Sequence, residues 1–201
     1  MASTGLAARI RAADEERGAH LPGEVGVWLF ILGDMAAFGL FFTVFAVERG
    51  QNPALYNASR DTLHIWVGAI NTLLLLTGSL FVARAVYAVH AGRLRAAHRW
   101  VTGAIGTGLV FAAGKVYEYS DQAAAGHGIA DNKFYTYYYM FTGIHLTHLV
   151  IGVGALLYMR KLVAKPALTF RDLRNLENAA SYWHMVDLLW IVLFALLYLM
   201  G

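Results

Sequence analysis

Five long apolar runs constrain this chain more than any other feature: near Val25–Val47, Leu63–Val89, Trp100–Tyr119, Tyr135–Met159 and Ala179–Met200. An α-helix needs about 20 such residues to cross a hydrocarbon core roughly 30 Å thick, and each run meets that length. Lipid offers the backbone no hydrogen-bond partner, so a spanning segment is a helix or a strand of a closed barrel. The runs lack the strict alternation of barrel strands. The sequence therefore predicts an all-α integral membrane bundle of five transmembrane helices. Composition agrees, since 58% of the residues are hydrophobic and only 14% charged, against about a quarter charged in soluble domains. Pro22, Pro53 and Pro166 all fall outside the runs, so no span is broken by proline.

Residues 1–22 carry Arg9, Arg11, Asp14, Glu15, Glu16 and Arg17 without an apolar stretch, which reads as a polar tail and not as a secretory signal. Residues 23–201 read as a single transmembrane domain. Basic residues concentrate in the tail, in the second connection (Arg84, Arg93, Arg95, Arg99) and in the fourth (Arg160, Lys161, Lys165, Arg171, Arg174), while the third has only Lys133. The positive-inside rule then predicts a cytoplasmic N-terminus and an external C-terminus. Trp28, Trp100, Tyr182 and Trp183 fall at the predicted inner interface, and Tyr135, Tyr137, Tyr138 and Tyr139 at the outer one, as aromatic belts do. The net charge of +3 sits beside apolar segments, so no nucleic-acid partner is predicted. With no cysteine, disulfides, thiolate catalysis and iron–sulfur ligation are excluded. Ala104, Gly108 and Ala112 space small residues four apart, a pattern that lets helix backbones approach closely.

Asp34, Lys115, Glu118, His145, His148, His184 and Asp187 all lie inside apolar runs. A charge at mid-bilayer costs roughly 2.5–3.5 kcal/mol on insertion scales, so these groups face protein, water or a partner. From the helical rise, Asp34 and Asp187 lie about 12–13 Å from the cytoplasmic face and His148 about 10 Å. His184 shares a helix face with Asp187, three residues away. One polar cluster of Asp34, His148, His184 and Asp187 is expected in the cytoplasmic half, either as structural hydrogen bonds or as a proton-handling site. Lys115 and Glu118, three apart near the outer end, are expected to pair with each other. His145 is expected to make an interhelical hydrogen bond, and Glu24 to cap the first helix, where its charge suits the dipole.

No complete catalytic constellation is present. A di-iron bundle needs Glu-x-x-His motifs on paired helices, and the spans contain none. Haem ligation would need facing axial groups, for which His145 or His148 with His184 is the only pairing. No activated nucleophile motif occurs. The residues favour a non-catalytic membrane subunit, with a small proton-coupled carrier as the rival reading.

Four stretches carry a family resemblance. Pro22-Gly23-Glu24-Val25-Gly26-Val27-Trp28-Leu29-Phe30-Ile31-Leu32-Gly33-Asp34-Met35 resembles the helix of cytochrome c oxidase subunit III that bears its membrane-embedded carboxylate. Lys115-Val116-Tyr117-Glu118-Tyr119 is similar to that family's acidic helix-end motif. Thr142-Gly143-Ile144-His145-Leu146-Thr147-His148 is similar to its Thr-Gly-x-His-x-x-His motif. Glu177, followed by Tyr182-Trp183-His184-Met185-Val186-Asp187-Leu188-Leu189-Trp190, is similar to its terminal block. The resemblance implies a five-helix subunit III of a haem-copper respiratory oxidase in the bacterial inner (plasma) membrane. Such a subunit binds no haem or copper itself. It flanks a catalytic haem-bearing subunit that holds them, binds phospholipid in a cleft, and supports proton uptake and durability in turnover. Asp34 takes the place of the buried carboxylate. The Pro-Gly-Glu opening and the Gly33-Asp34 pair also resemble the subunit-III-like accessory proteins of nitric oxide reductases.

Overall fold

The computed structural model describes residues 23–200; the polar tail read over residues 1–22 lies outside them. Helix α1 (Val25–Gln51) is followed by a short α2 (Pro53–Arg60), then α3 (Ile65–His90), α4 (Leu94–Ala124), α5 (Lys133–Val163) and α6 (Phe170–Phe194). A wider, π-type turn at Ala195–Leu199 continues α6. No strand occurs among the described residues.

Local chemistry sets the helix ends. Pro53 opens α2 at the position where its missing N–H costs nothing. Gly92 and Gly126 close α3 and α4 with φ of 70° and 85°. Behind them, Arg93 N donates to Ala88 O at 2.8 Å and His127 N to Gln122 O at 2.9 Å. These are the six-to-one bonds of the Schellman motif, which needs a left-handed residue that glycine adopts without strain. Asn132 caps α5 by accepting from Tyr135 N at 3.2 Å. Thr169 and Asp172 form a reciprocal capping box at the start of α6. That box starts α6 at Phe170, well before the apolar run at Ala179, because polar capping and not hydropathy defines the helix start.

Four helices are long and apolar enough to cross a membrane: Val25–Gln51, Ile65–His90, Lys133–Val163 and Phe170–Leu199. The remaining long helix, α4, has 31 residues like α5, so its rise of about 46 Å is ample. Its hydropathy is diluted by Lys115, Glu118 and the Arg-rich first turns.

Helices α3 and α4 form the tightest hairpin, and α6 packs against α3 and α5 at the centre. Of the most apolar window in each, 56% is buried for α6 but 17% for α1, which leans on the outside of the four-helix body. Trp183 on α6 fills the middle. Its ring lies against Gly78, Gly108 and Gly152 from three other helices, and a Cβ on Gly108 would stand 2.9 Å from it. The small-residue stripe of α4 thus does permit close approach, with Ala104 fully buried, but what it receives is an indole.

The aromatic belts need correction. Trp183 is fully buried and Tyr182 nearly so, because both project from α6 into its packing against the other helices. Tyr135 and Tyr138 are also buried. Tyr135 Oη meets Thr62 Oγ1 at 2.6 Å, and Tyr139 donates to His127 O at 2.8 Å. The tyrosines hold this end together from inside, with Gln122 donating to Thr62 O at 2.9 Å and Lys133 paired with Glu48 at 2.7 Å.

Candidate functional site

The groups predicted to form one cluster separate into two. Asp34 on α1 meets His148 on α5, with Oδ1 3.2 Å from Nε2. The other ring nitrogen, Nδ1, lies 2.8 Å from the carbonyl of Ile144. A carbonyl only accepts, so Nδ1 carries a hydrogen. A contact between Nε2 and a carboxylate oxygen then requires one further proton, on the ring or on Asp34. The contact ties α1 to α5 through these two side chains. Phe38 packs edge-on against the ring at 5.7 Å, and Tyr182 donates to the carbonyl of His148 at 3.4 Å. The second oxygen of Asp34 is buried without a hydrogen-bond partner among the described residues.

His184 and Asp187 sit on another side of α6. His184 Nδ1 lies 2.6 Å from Ser79 Oγ on α3 and 3.9 Å from Asp187. Asp34 and His148 do meet, but azimuth divides the set. Each residue turns a helix by about 100°, so His184 points some 160° away from Tyr182, the residue that faces His148.

Lys115 and Glu118 pair as expected, at 2.9 Å, and both are almost entirely buried. Lys115 also donates to the phenol oxygens of Tyr138 and Tyr198, at 3.1 and 3.2 Å. Tyr198 donates to the other oxygen of Glu118 at 2.5 Å. The ammonium lies 4.8 Å from the Tyr138 ring centre and 5.4 Å from that of Trp190. Hydrogen bonds and ring faces so satisfy both charges, as a buried pair requires.

His145 departs from expectation. It is 1% exposed, and neither ring nitrogen has a hydrogen-bond partner among the described residues. Instead its ring packs between Phe111 and Trp190, at 5.8 and 5.3 Å. The expected interhelical hydrogen bond is absent among the described residues, where the ring meets aromatic neighbours instead. This geometry also argues against an axial haem pair, since His145, His148 and His184 face Trp190, Asp34 and Ser79 respectively. Among the described residues no three His, Asp or Glu side chains gather as a metal site.

Glu24 occupies the N-cap position of α1, but its side chain makes no capping bond. The cap comes from α6 instead: Glu177 accepts from Gly23 N at 3.0 Å and Asn178 from Glu24 N at 2.8 Å. Carboxylate and amide thus satisfy two of the free amides at the positive end of α1. Glu177 was singled out in the sequence. Asn178 and Ser79 were not, and no local signal marks a cap supplied from a helix more than a hundred residues away. Just beyond this strap, Gly26, Phe30, Tyr158, Asn178 and Tyr182 line a cleft of about 410 Å³ between α1 and the body.

The family model described as cytochrome c oxidase subunit III matches residues 21–201. The cytochrome c oxidase subunit 3 of Thermostichus vulcanus is 29% identical over 177 residues, covering 88% of this chain and 86% of the relative. That of Bacillus sp. (strain PS3) is 28% identical over 200 residues, covering 98% and 96%. The cytochrome bo(3) ubiquinol oxidase subunit 3 of Buchnera aphidicola is 24% identical over 176 residues, covering 88% and 85%.

Proposed function

From the premise that the chain belongs to the cytochrome c oxidase subunit III family, we propose that it is the non-catalytic subunit III of a haem-copper respiratory oxidase. The carrying observation is the family match along residues 21–201, which takes in every buried polar group described above. The haem and copper belong to the catalytic subunit against which this bundle packs. All five long helices cross the membrane, α4 included, with the N-terminus cytoplasmic and the C-terminus outside, in the plasma membrane of a bacterium. The concentration of arginine at the tail and at the α3–α4 and α5–α6 turns supports that orientation.

Its contribution to turnover is indirect. Asp34 and His148 hold one proton at the α1–α5 contact, in reach of the cleft beside α1, and keep it available to the catalytic subunit's uptake path. Phospholipid fills that cleft, whose lining is almost wholly apolar. Lys115 and Glu118 have a structural and not a protonic role, because every strong donor and acceptor of the pair is already engaged within the bundle. His184 and Asp187 lie beside Ser79 as a second polar contact between α3 and α6.

A second reading, an accessory subunit of a nitric oxide reductase, is favoured by the Pro22-Gly23-Glu24 opening and the Gly33-Asp34 pair. Affinity purification from native membranes tests both. The complex should carry a haem-bearing partner with a Soret band and should consume oxygen; consumption of nitric oxide instead selects the second reading. If the polypeptide purified alone were coloured, or moved protons across a vesicle by itself, a helper role would be wrong.

A further inference from the structure

The turn between α3 and α4 encloses the largest cavity described, about 990 Å³, between Phe81 of α3, the first turns of α4 and Pro166 beyond α5. Its lining is divided by chemistry. Arg93, Arg95 and Arg99 stand at one end, and Phe81, Trp100 and Gly103 form the other. The two rings pack at 5.4 Å. Phe81 also lies over Gly103, where a Cβ would approach it to 2.9 Å. From Arg95 to Gly103 the cavity runs about 12 Å along α4. Below it, on the same face, Gly106 and Val110 are exposed, leaving an apolar track down the helix.

We propose that this cavity is a specific site for an anionic phospholipid, the arginines holding the phosphodiester and the Phe81–Trp100 floor receiving the first part of an acyl chain. Positive-inside bias accounts for arginines at this end of the molecule, but not for three of them converging on one cavity without an acid. Two other basic groups at this end are engaged elsewhere: Arg160 with His98 at 3.3 Å, and Lys165 with Asp172 at 2.7 Å. Arg95 and Arg99 have no such partner among the described residues. Arg93 lies over the Tyr87 ring at 5.7 Å. The first turn of α4 contains no acidic residue and no side-chain cap, so its positive end adds to the same field. A planar guanidinium matches phosphate oxygens two at a time. Three planar guanidinium groups beside an aromatic floor suit an amphiphile, whereas a free anion would have no use for the floor.

This site differs from the cleft beside α1 and does not depend on which acceptor the partner reduces. The test uses the full chain in detergent micelles, titrated with phosphatidylglycerol or phosphatidylcholine and read by native mass spectrometry. Phosphatidylglycerol should be retained about tenfold better, a preference that Arg95→Gln with Arg99→Gln abolishes. The matching double lysine variant keeps the charge and should keep most of the preference, which separates lost binding from lost folding. Brominated phosphatidylglycerol should quench a component of the fluorescence that is missing from Trp100→Phe. Equal retention of the two lipids, an unchanged preference in the double glutamine variant, quenching unaltered by Trp100→Phe, or displacement of the lipid by excess inorganic phosphate would each overturn the proposal. A lipid in the cleft beside α1 survives all of these substitutions, so failure here leaves that reading standing.

Discussion

Replacing Lys115 by methionine probes the buried ion pair directly. With Nζ and Oε2 2.9 Å apart, the attraction is about 6 kcal/mol at an effective dielectric of 20. Removing the two ions from water costs several kcal/mol each, so the intact pair contributes little net stability. The single variant is different. It leaves Glu118, 0% exposed, with the Tyr198 hydroxyl as its remaining donor, and breaking such a pair costs about 3–5 kcal/mol. Lys115→Met with Glu118→Leu removes both charges and forfeits only the hydrogen bonds of the two phenols, a loss of about 1–3 kcal/mol. Reversible unfolding in mixed micelles, followed by tryptophan fluorescence, measures both. The single variant should shift the unfolding equilibrium by at least about a hundredfold, and the double variant should recover part of that shift. A single variant as stable as the parent, or a double variant that loses the sum of both single losses, would refute the account of a mutually compensated pair.

Four other substitutions follow from the packing and the site. Gly108→Ala, whose Cβ would lie 2.9 Å from the Trp183 ring and 3.2 Å from Val153, should cost about 1–3 kcal/mol in the same unfolding assay, whereas Gly106→Ala, with open space around it, should be neutral or stabilise by up to about 1 kcal/mol. His145→Phe should change stability by less than about 1.5 kcal/mol, since the ring makes aromatic contacts and no hydrogen bond; a larger loss in thermal stability would show that its nitrogens matter. Asp34→Ala in the purified complex should leave the initial oxygen-consumption rate nearly intact while shortening the active lifetime or slowing proton uptake. Loss of haem from the complex on that substitution would contradict the indirect role.

Hydropathy and capping made the helical architecture legible, since long apolar runs in lipid leave few alternatives. Depth was legible as well: a count of residues along each run put Asp34 and His148 at one level, and they touch. Rotation about the helix axis was not. Apolar residues surround every span, so nothing in the sequence says which side of α6 faces α3 and which faces α5, and His184 with Asp187 was merged into the wrong group. The same missing signal explains the tyrosines, since Tyr135 and Tyr138 have the composition of an interfacial belt but the rotation of a core. Lys115 and Glu118 were readable because their spacing of three residues is intrinsic to one helix. The cap on α1 was not, because Asn178 reaches it only through the tertiary fold.

The strap that joins Gly23 and Glu24 to Glu177 and Asn178 sets an order of assembly. Translation makes α1 before α6, yet the residues that fasten its leading end belong to α6, more than a hundred residues later. Until α6 arrives, α1 can rest on α5 through Asp34–His148 and Glu48–Lys133, but its leading end has no cap. Ribosomes stalled before residue 170 would therefore present α1 with its leading end unfastened, and cross-linking between residues 23–24 and 177–178 should appear only once synthesis has passed that point.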